Sequence, residues 1–314
     1  MNIFRRILLI TSISSITLLK CSFFKSDIRM KLQGAAYCLS TNILYNGQTP
    51  TLSEVKNNLE DPILKSRYSS KSIRLASAYG FINDLKLHAI LKKNNKVNTP
   101  EILDLEVKIL SNINNITVDL TSMASEFNCY VDRFTEILKM MIEKHKDIET
   151  SNSIYGIMVG AIAALTEGYY INSNLYSQRV VITGGVLGTY FAYKAFTPNV
   201  TVEFKPRSTN LKDLWYNVEK TNNYSTALWF LLTQKFNGEE SLSYRDFLVK
   251  RWIDAKFLGE EGEDRERHID LFFGNGGEST IKNLTDRREM IHQIETIISL
   301  HEQDARALIV EFIK

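Results

Sequence analysis

"INNITVDLTSMASEFNCYVDRFTEILKMM", residues 113–141, carries large apolar side chains at alternating intervals of three and four residues. The nine positions, called the seam below, are Ile113, Ile116, Leu120, Met123, Phe127, Tyr130, Phe134, Ile137 and Met141. On a helix this spacing aligns them along one face, as in the heptad repeat of coiled coils. Val131 and Leu138 widen the seam, so the pattern favours a bundle of several helices over a two-stranded coiled coil.

The seam belongs to a long predicted helix with a clear start at Asn98–Leu103. Thr99 is a suitable cap, and Pro100 suits the first helical position because its missing N–H has no partner there anyway. No proline occurs between Pro100 and Pro198, so nothing in the sequence forces a break. Upstream, Pro62–Lys93 is predicted as one helix that packs antiparallel to the long helix across a short connection.

Two glycine-bearing apolar segments follow the seam. They place small residues four apart, at Gly156, Gly160, Ala164 and Gly168, and again at Gly184, Gly188 and Ala192. On a helix this spacing keeps small side chains on one face, where a second helix can approach closely. The sequence therefore predicts a glycine-zipper helical hairpin over 154–196 that turns near Ile171–Asn174.

The hairpin raises the question of a membrane span. Its apolar cores, Ile154–Leu165 and Val180–Tyr193, are short for a helix that must cross a bilayer. Extending the first core to Ile171 would place Glu167 in hydrocarbon. We expect a packed or membrane-dipping hairpin and keep a true span as the alternative.

A phosphate-binding loop at Ile182–Gly188 is a third interpretation of the glycines. The segment lacks the Gly-Lys-Ser/Thr ending and the Gly-x-Gly-x-x-Gly order of such loops, so the sequence does not favour it.

The N-terminus has the order of an export signal. Arg5 and Arg6 precede an uncharged, mostly apolar run, Ile7–Leu19, of the length expected for a signal peptide. Residues 1–20 are predicted as that signal, and Cys21 as a lipidation site, since Leu18–Cys21 resembles a bacterial lipobox. A lipobox has a small residue before the cysteine, and this chain has Lys20 there. An ordinary signal peptide and an uncleaved membrane anchor therefore remain as alternatives.

Lipidation of Cys21 leaves Cys38 and Cys129 as the remaining two of three cysteines. Cys129 lies off the seam, which makes a role as a buried apolar side chain less suitable. In an oxidising compartment the two are candidates for a disulfide, provided that their Cα atoms lie within about 7 Å. The alternative is two unrelated free thiols.

The last third, 197–314, is predicted as a separate helical region after the bundle of 21–196. A short extended segment at Asn199–Pro206 precedes three helices, Asn210–Lys220, Ser225–Phe236 and Ser243–Lys256, each with one tryptophan. A charged loop over 259–268, a glycine turn and a final amphipathic helix complete the chain. The predicted fold is therefore mainly α: an elongated helical bundle with a long coiled-coil-like helix, the hairpin and a smaller C-terminal part.

Several segments resemble a family of uncharacterised bacterial envelope proteins. They are "EFNC" (126–129), the glycine hairpin, "LKDLW" (211–215), "RW" (251–252), "LFFGNGG" (271–277) and "QDARALIVEF" (303–312). The resemblance covers roughly residues 100–314. It implies an architecture and no catalytic residues.

The sequence offers little that indicates enzymatic chemistry. "HEQDA", His301–Ala305, begins like a zinc-protease helix but has alanine where the second histidine is required. No cofactor or metal site is predicted, and a net charge of +2 gives no indication of nucleic-acid binding. We expect an exported, envelope-anchored lipoprotein-like scaffold that binds a protein partner, with self-association possible. The alternatives are a membrane-inserting, pore-forming hairpin and an unrecognised hydrolase.

Overall fold

The protein is mainly helical, as the sequence predicts. A computed structural model describes residues 27–31, 38, 47–93, 99–169, 174–196, 199–204, 210–236 and 241–314, with the backbone alone at 27–31, 162–163, 165–169 and 174–184. Cys21 and the predicted signal segment 1–20 lie outside these residues.

The described residues form eleven helices and three short strands. In chain order they are β1 (Asp27–Lys31), α1 (Leu52–Glu60), α2 (Pro62–Lys65), α3 (Ser70–Ala78), α4 (Ile82–Lys93), α5 (Pro100–Tyr169), α6 (Asn174–Phe196), β2 (Asn199–Phe204), α7 (Asn210–Tyr216), α8 (Thr226–Thr233), α9 (Tyr244–Asp254), α10 (Glu263–Phe273), β3 (Gly277–Thr280) and α11 (Ile281–Ile313). The long α5 starts at Pro100, the predicted first helical position.

The seam of α5 is the core-facing stripe of this helix. Eight of its nine side chains are buried, and Tyr130 is half-buried. Of the two widening positions, Leu138 is buried and Val131 is half-buried. A stripe of this width matches a helix that packs against several neighbours, so the bundle interpretation of the pattern is confirmed.

The segment Pro62–Lys93 is not the single helix that its apolar pattern predicts. It forms α2, α3 and α4, with breaks at 66–69 and 79–81. The Ser69 hydroxyl accepts the Ser72 N–H and so caps a new helix start. Gly80 has φ 78°, a left-handed conformation that ends α3 and that glycine adopts without steric cost.

The strands form one small sheet in the order β1-β2-β3. β1 runs parallel to β2, with Asp27 opposite Asn199 and Lys31 opposite Glu203. Parallel pairing requires a crossover connection, and here the chain between the two strands contains all six described helices that precede β2. The predicted extended segment at 199–206 is thus the central strand, over Asn199–Phe204.

The C-terminal helices enclose an aromatic cluster. The Trp215 ring stacks on Phe273 with centroids 5.0 Å apart, and the fully buried Trp252 lies 6.4 Å from the same ring on its centroid. Trp229 instead packs beside Tyr224, at 5.3 Å between centroids. The tryptophans of the predicted helices therefore contribute to packing, in two groups.

One segment of the C-terminal region differs from its predicted form. Residues 259–268 are predicted as a charged loop, but the structure begins α10 at Glu263 within it. Acidic residues in the first turn complement the positive helix end, so this charge density is compatible with a helix start. The apolar residues that anchor α10, Leu271–Phe273, lie at its other end.

Contacts within the described residues divide the chain into two compact units. One holds the described parts of 1–32, 137–203 and 278–281, and the other holds those of 33–136, 204–277 and 282–314. The seam residue Phe127 and Tyr224 belong to the same unit and stack with ring centroids 6.0 Å apart. The predicted domain boundary between residues 196 and 197 stays a prediction.

Arg287 is a buried cation that closes the C-terminus of α10. Its guanidinium donates to the Phe272 carbonyl and lies 5.0 Å from the Phe204 ring centroid. Desolvation by burial lowers the pKa of Arg287 to about 9. The side chain thus satisfies a carbonyl that the helix leaves without an intrahelical partner.

A polar network lies inside the bundle at His88. Its Nδ1 lies 3.5 Å from the Tyr68 hydroxyl, and its Nε2 lies 3.2 Å from Glu106 Oε1. Lys92 pairs with the same carboxylate at 2.9 Å. Burial is the largest influence and lowers the pKa of His88, against the opposing effect of Glu106.

This lowered pKa predicts a loss of stability in mild acid. An unfolded histidine titrates near pH 6.5, so below that pH the unfolded chain binds a proton that the folded chain resists. The free energy of unfolding should therefore fall as the pH decreases through about 6.5. Urea unfolding between pH 8 and 5 measures it. In His88→Gln this decrease should be smaller, and an unchanged pH profile in the variant would exclude His88 as its cause.

Candidate functional site

The two helices of the predicted hairpin cross closely at one pair of glycines. A Cβ built on Gly156 would lie 3.7 Å from the Phe191 Cβ, 3.8 Å from the Gly188 carbonyl oxygen and 3.9 Å from the Ala192 nitrogen. One turn earlier in α5, the Asn152 amide donates to the Lys194 carbonyl at 3.2 Å. Small residues at 156 and 188 thus bring the helix backbones together.

Ala192 also lies at this crossing, whereas Gly160 and Ala164 do not extend it. Among the described atoms, none lies within 4 Å of a Cβ built on Gly160, and Ala164 is exposed. Gly168 and Gly184 lie where only the backbone is described. The described hairpin therefore shows one crossing at Gly156 and Gly188, because four-residue spacing selects a helix face but does not specify what that face meets.

This crossing predicts different effects for two neighbouring glycines. Gly156→Leu should lower the free energy of unfolding by about 1–3 kcal/mol, because atoms beyond Cβ would overlap α6. Gly160→Leu is the matched control, because a Cβ at this position has no described atom within 4 Å. Its higher helix propensity should raise the free energy of unfolding by up to about 1 kcal/mol. Amide hydrogen exchange over 150–160 and thermal unfolding measure both. Equal protection in the two variants would contradict the crossing.

Around the crossing, the hairpin exposes a set of large apolar side chains. Seven are 40% exposed or more, and they are called the hairpin surface below: Ile154, Ile157, Met158, Val186, Leu187, Tyr193 and Phe196. Phe196 reaches 83% and Ile157 reaches 72% exposure. Extensive exposed apolar surface on a folded protein marks a site of interaction with protein, membrane or ligand.

The charges of the hairpin lie outside its apolar segments. Residues 150–166 and 180–193 contain no Asp, Glu, Lys or Arg. As helices, these segments measure about 25 Å and about 20 Å, against about 30 Å of bilayer hydrocarbon. Within the described parts of the chain, no helix is both long and apolar enough for a membrane span.

Cys38 and Cys129 lie together in the structure. Their sulfur atoms are 2.08 Å apart and their Cα atoms 5.8 Å apart, which meets the distance requirement for the predicted disulfide. Both residues are half-buried. The bond links the segment after β1 to the middle of α5, across a sequence separation of 91 residues.

A cleft between α9 and α11 is the second candidate site. It encloses about 540 Å³, within the range of small-molecule sites. Its polar lining includes Arg74, Tyr244, Arg251 and Glu289, and its apolar lining includes Phe247. Sequence reasoning missed this cleft, because its residues come from helices far apart in the chain and match no motif.

Among the described residues that line the cleft, no nucleophile is paired with a base. The Ser243 hydroxyl accepts the Asp246 N–H as the cap of α9, and His292 Nδ1 pairs with Glu295 at 2.9 Å. Among the residues that the structure describes, no group of three His, Cys, Asp or Glu side chains is placed to hold a metal ion. The arrangement is suited to binding.

The chain matches no protein-family model, no curated protein and no solved structure. The resemblance to bacterial envelope proteins accordingly stays a prediction.

Proposed function

We propose that this protein is a non-enzymatic, envelope-tethered helical scaffold that binds a protein partner through the hairpin surface. The observation that carries the proposal is the exposure of large apolar side chains on both helices beside the Gly156–Gly188 crossing. Aromatic residues and methionine are enriched at protein interfaces, and this surface offers Tyr193, Phe196 and Met158. The crossing holds them on a rigid pair of helices.

A protein partner fits the hairpin better than lipid does. Both charge-free segments are shorter than the hydrocarbon thickness, and each ends next to a charge in the sequence, Glu167 after the first and Arg179 before the second. A hairpin that entered one leaflet from its tip would carry these two charges into hydrocarbon at high cost. A partner protein covers an apolar band of this length and leaves both ends in water.

The proposed tether is the N-terminal segment. Signal cleavage after Lys20 and acylation of Cys21 would anchor the chain, and lipoprotein processing supplies the several acyl chains that stable anchoring needs. The juxtaposition of Cys38 and Cys129 supports an oxidising compartment outside the cytoplasm. Intact-mass measurement of the native protein tests the tether: loss of 1–20 with added acyl mass is expected, and an unlipidated N-terminus would reject it.

Site-specific photo-cross-linking in cells tests the binding surface. A photoreactive phenylalanine analogue at Ile157, which is 72% exposed on the hairpin, should give a discrete protein adduct identified by mass spectrometry. The matched control is Val310, an apolar residue that is 54% exposed on α11 and should give none. An adduct with a second copy of this chain would identify the partner as the protein itself.

The same experiment distinguishes binding of a protein partner from insertion of the hairpin into a membrane. Adducts with lipid at Ile157, without a protein adduct, would favour a membrane-inserting hairpin instead. No adduct at Ile157, or equal protein adducts at Ile157 and Val310, would reject the hairpin surface as the binding site. Expression of both variants is checked by immunoblot, so a missing adduct is not mistaken for missing protein.

A further inference from the structure

The cleft beside α9 and α11 has an apolar floor with a cation at each end. The two helices run antiparallel, since Tyr244 contacts His301 at one end and Trp252 donates to Gln293 at the other. Between these ends the floor is formed by Phe247, Leu248, Ile297 and Leu300. The eight residues of α9 from Tyr244 to Arg251 span seven helical steps of about 1.5 Å, which gives the floor a length of about 10 Å.

The closed end of the cleft is built by Arg74. Its guanidinium lies 5.1 Å from the Phe236 ring centroid, and both residues line the cleft. The charge of Arg74 also interacts with Asp304, which pairs with Lys71 at 3.1 Å. At this end the Arg74 guanidinium therefore lies over the Phe236 ring. Its positive charge is partly offset by Asp304, which also pairs with Lys71.

The open end presents Arg251. This side chain is exposed, and it makes no hydrogen bond or ion pair with any other described residue. The carboxylate of Glu289, which also lines the cleft, accepts a hydrogen bond from the Gln293 amide at 3.1 Å. Among the described lining residues, Arg74 and Arg251 stand against the single carboxylate of Glu289, which favours an anion.

We propose that this cleft binds a small amphipathic anion, with its apolar chain on the floor and its acidic group paired with Arg251. An extended alkyl chain of about eight carbons matches a floor of about 10 Å. The cavity of about 540 Å³ accommodates a ligand of this size. The inference concerns a site within the helical unit of 33–136, 204–277 and 282–314 and is independent of the hairpin.

Equilibrium dialysis of the full chain with three matched probes tests the ligand class. Octanoate, octanol and octylammonium share one alkyl chain and differ in the charge of the head group. Octanoate should bind at least fivefold more tightly than octanol, and octylammonium should bind most weakly. Equal binding of octanoate and octanol, tighter binding of octylammonium, or no binding of octanoate would each overturn the proposal.

Variants on α9 and α11 test the position of the acidic group. Arg251→Gln should weaken octanoate binding about fivefold, the effect of one partly exposed ion pair. Lys250→Gln removes the same charge from the neighbouring exposed residue and should leave binding unchanged. Glu289→Gln removes the one carboxylate among the described lining residues and should strengthen binding. Equal losses in Arg251→Gln and Lys250→Gln, or weaker binding in Glu289→Gln, would reject the assignment of Arg251.

Discussion

Replacement of Phe127 by alanine is expected to lower the free energy of unfolding by about 3–5 kcal/mol. Phe127 is 1% exposed in the middle of the seam and stacks on Tyr224, which is also buried. Alanine would remove the ring from a closely packed interior and leave a cavity between α5 and the C-terminal segment that carries Tyr224. An effect of this size approaches half the stability of a typical domain.

Val118→Ala is the control on the same helix. Val118 is apolar and lies between two and three helical turns before Phe127, but it is 52% exposed, so its truncation should change stability by less than about 0.5 kcal/mol. Urea unfolding followed by far-UV circular dichroism measures both variants. Similar small changes for Phe127→Ala and Val118→Ala would show that the seam does not face the core at Phe127.

Loss of the bond between Cys38 and Cys129 should destabilise the protein by about 2–5 kcal/mol. A crosslink between residues 91 apart in sequence removes many conformations from the unfolded chain, and this entropy is returned when the bond is cut. Non-reducing peptide mapping should first recover the two half-cystine peptides as one species. Cys38→Ser and Cys129→Ser should then show the same loss, since each removes the same crosslink.

Cys21→Ser separates this effect from lipidation. Cys21 is the third cysteine, so its substitution leaves the pair intact and should leave urea unfolding unchanged. Free thiols at both Cys38 and Cys129 in protein isolated without reductant, or stability unaffected by either substitution, would reject the bond. That result would also remove one support for an envelope location.

The parts of the fold that the sequence predicts are those determined by local pattern. The 3-4 spacing of the seam requires a helix with one apolar stripe, and Pro100 specifies where that helix begins. The close approach at Gly156 and Gly188 also follows from spacing, but only the position of α6 distinguishes Gly156 from Gly160. Spacing identifies the face, and the partner helix determines which residues on that face are in contact.

The parts that the sequence did not predict depend on tertiary contacts. Gly80 ends α3 in a left-handed conformation, but a glycine is also tolerated inside a helix, so Gly80 alone did not contradict the predicted single helix. The cleft is assembled from Arg74, Arg251 and Glu289. More than a hundred residues of sequence separate Arg74 from Arg251. No sequence motif indicates that residues so far apart in the chain line the same cleft.

The parallel pairing of β1 with β2 has a consequence for the order of events during biosynthesis. Asp27 lies opposite Asn199, so the first strand emerges about 170 residues before its partner exists. Pairings so distant in sequence form slowly, because a long loop must close before any contact compensates for the lost entropy. Until then the N–H and C=O groups of the β1 segment lack the pairing that β2 supplies, and they can pair with other chains instead. The N-terminal strand therefore depends on late folding, and a chain truncated before residue 199 would leave this edge unpaired.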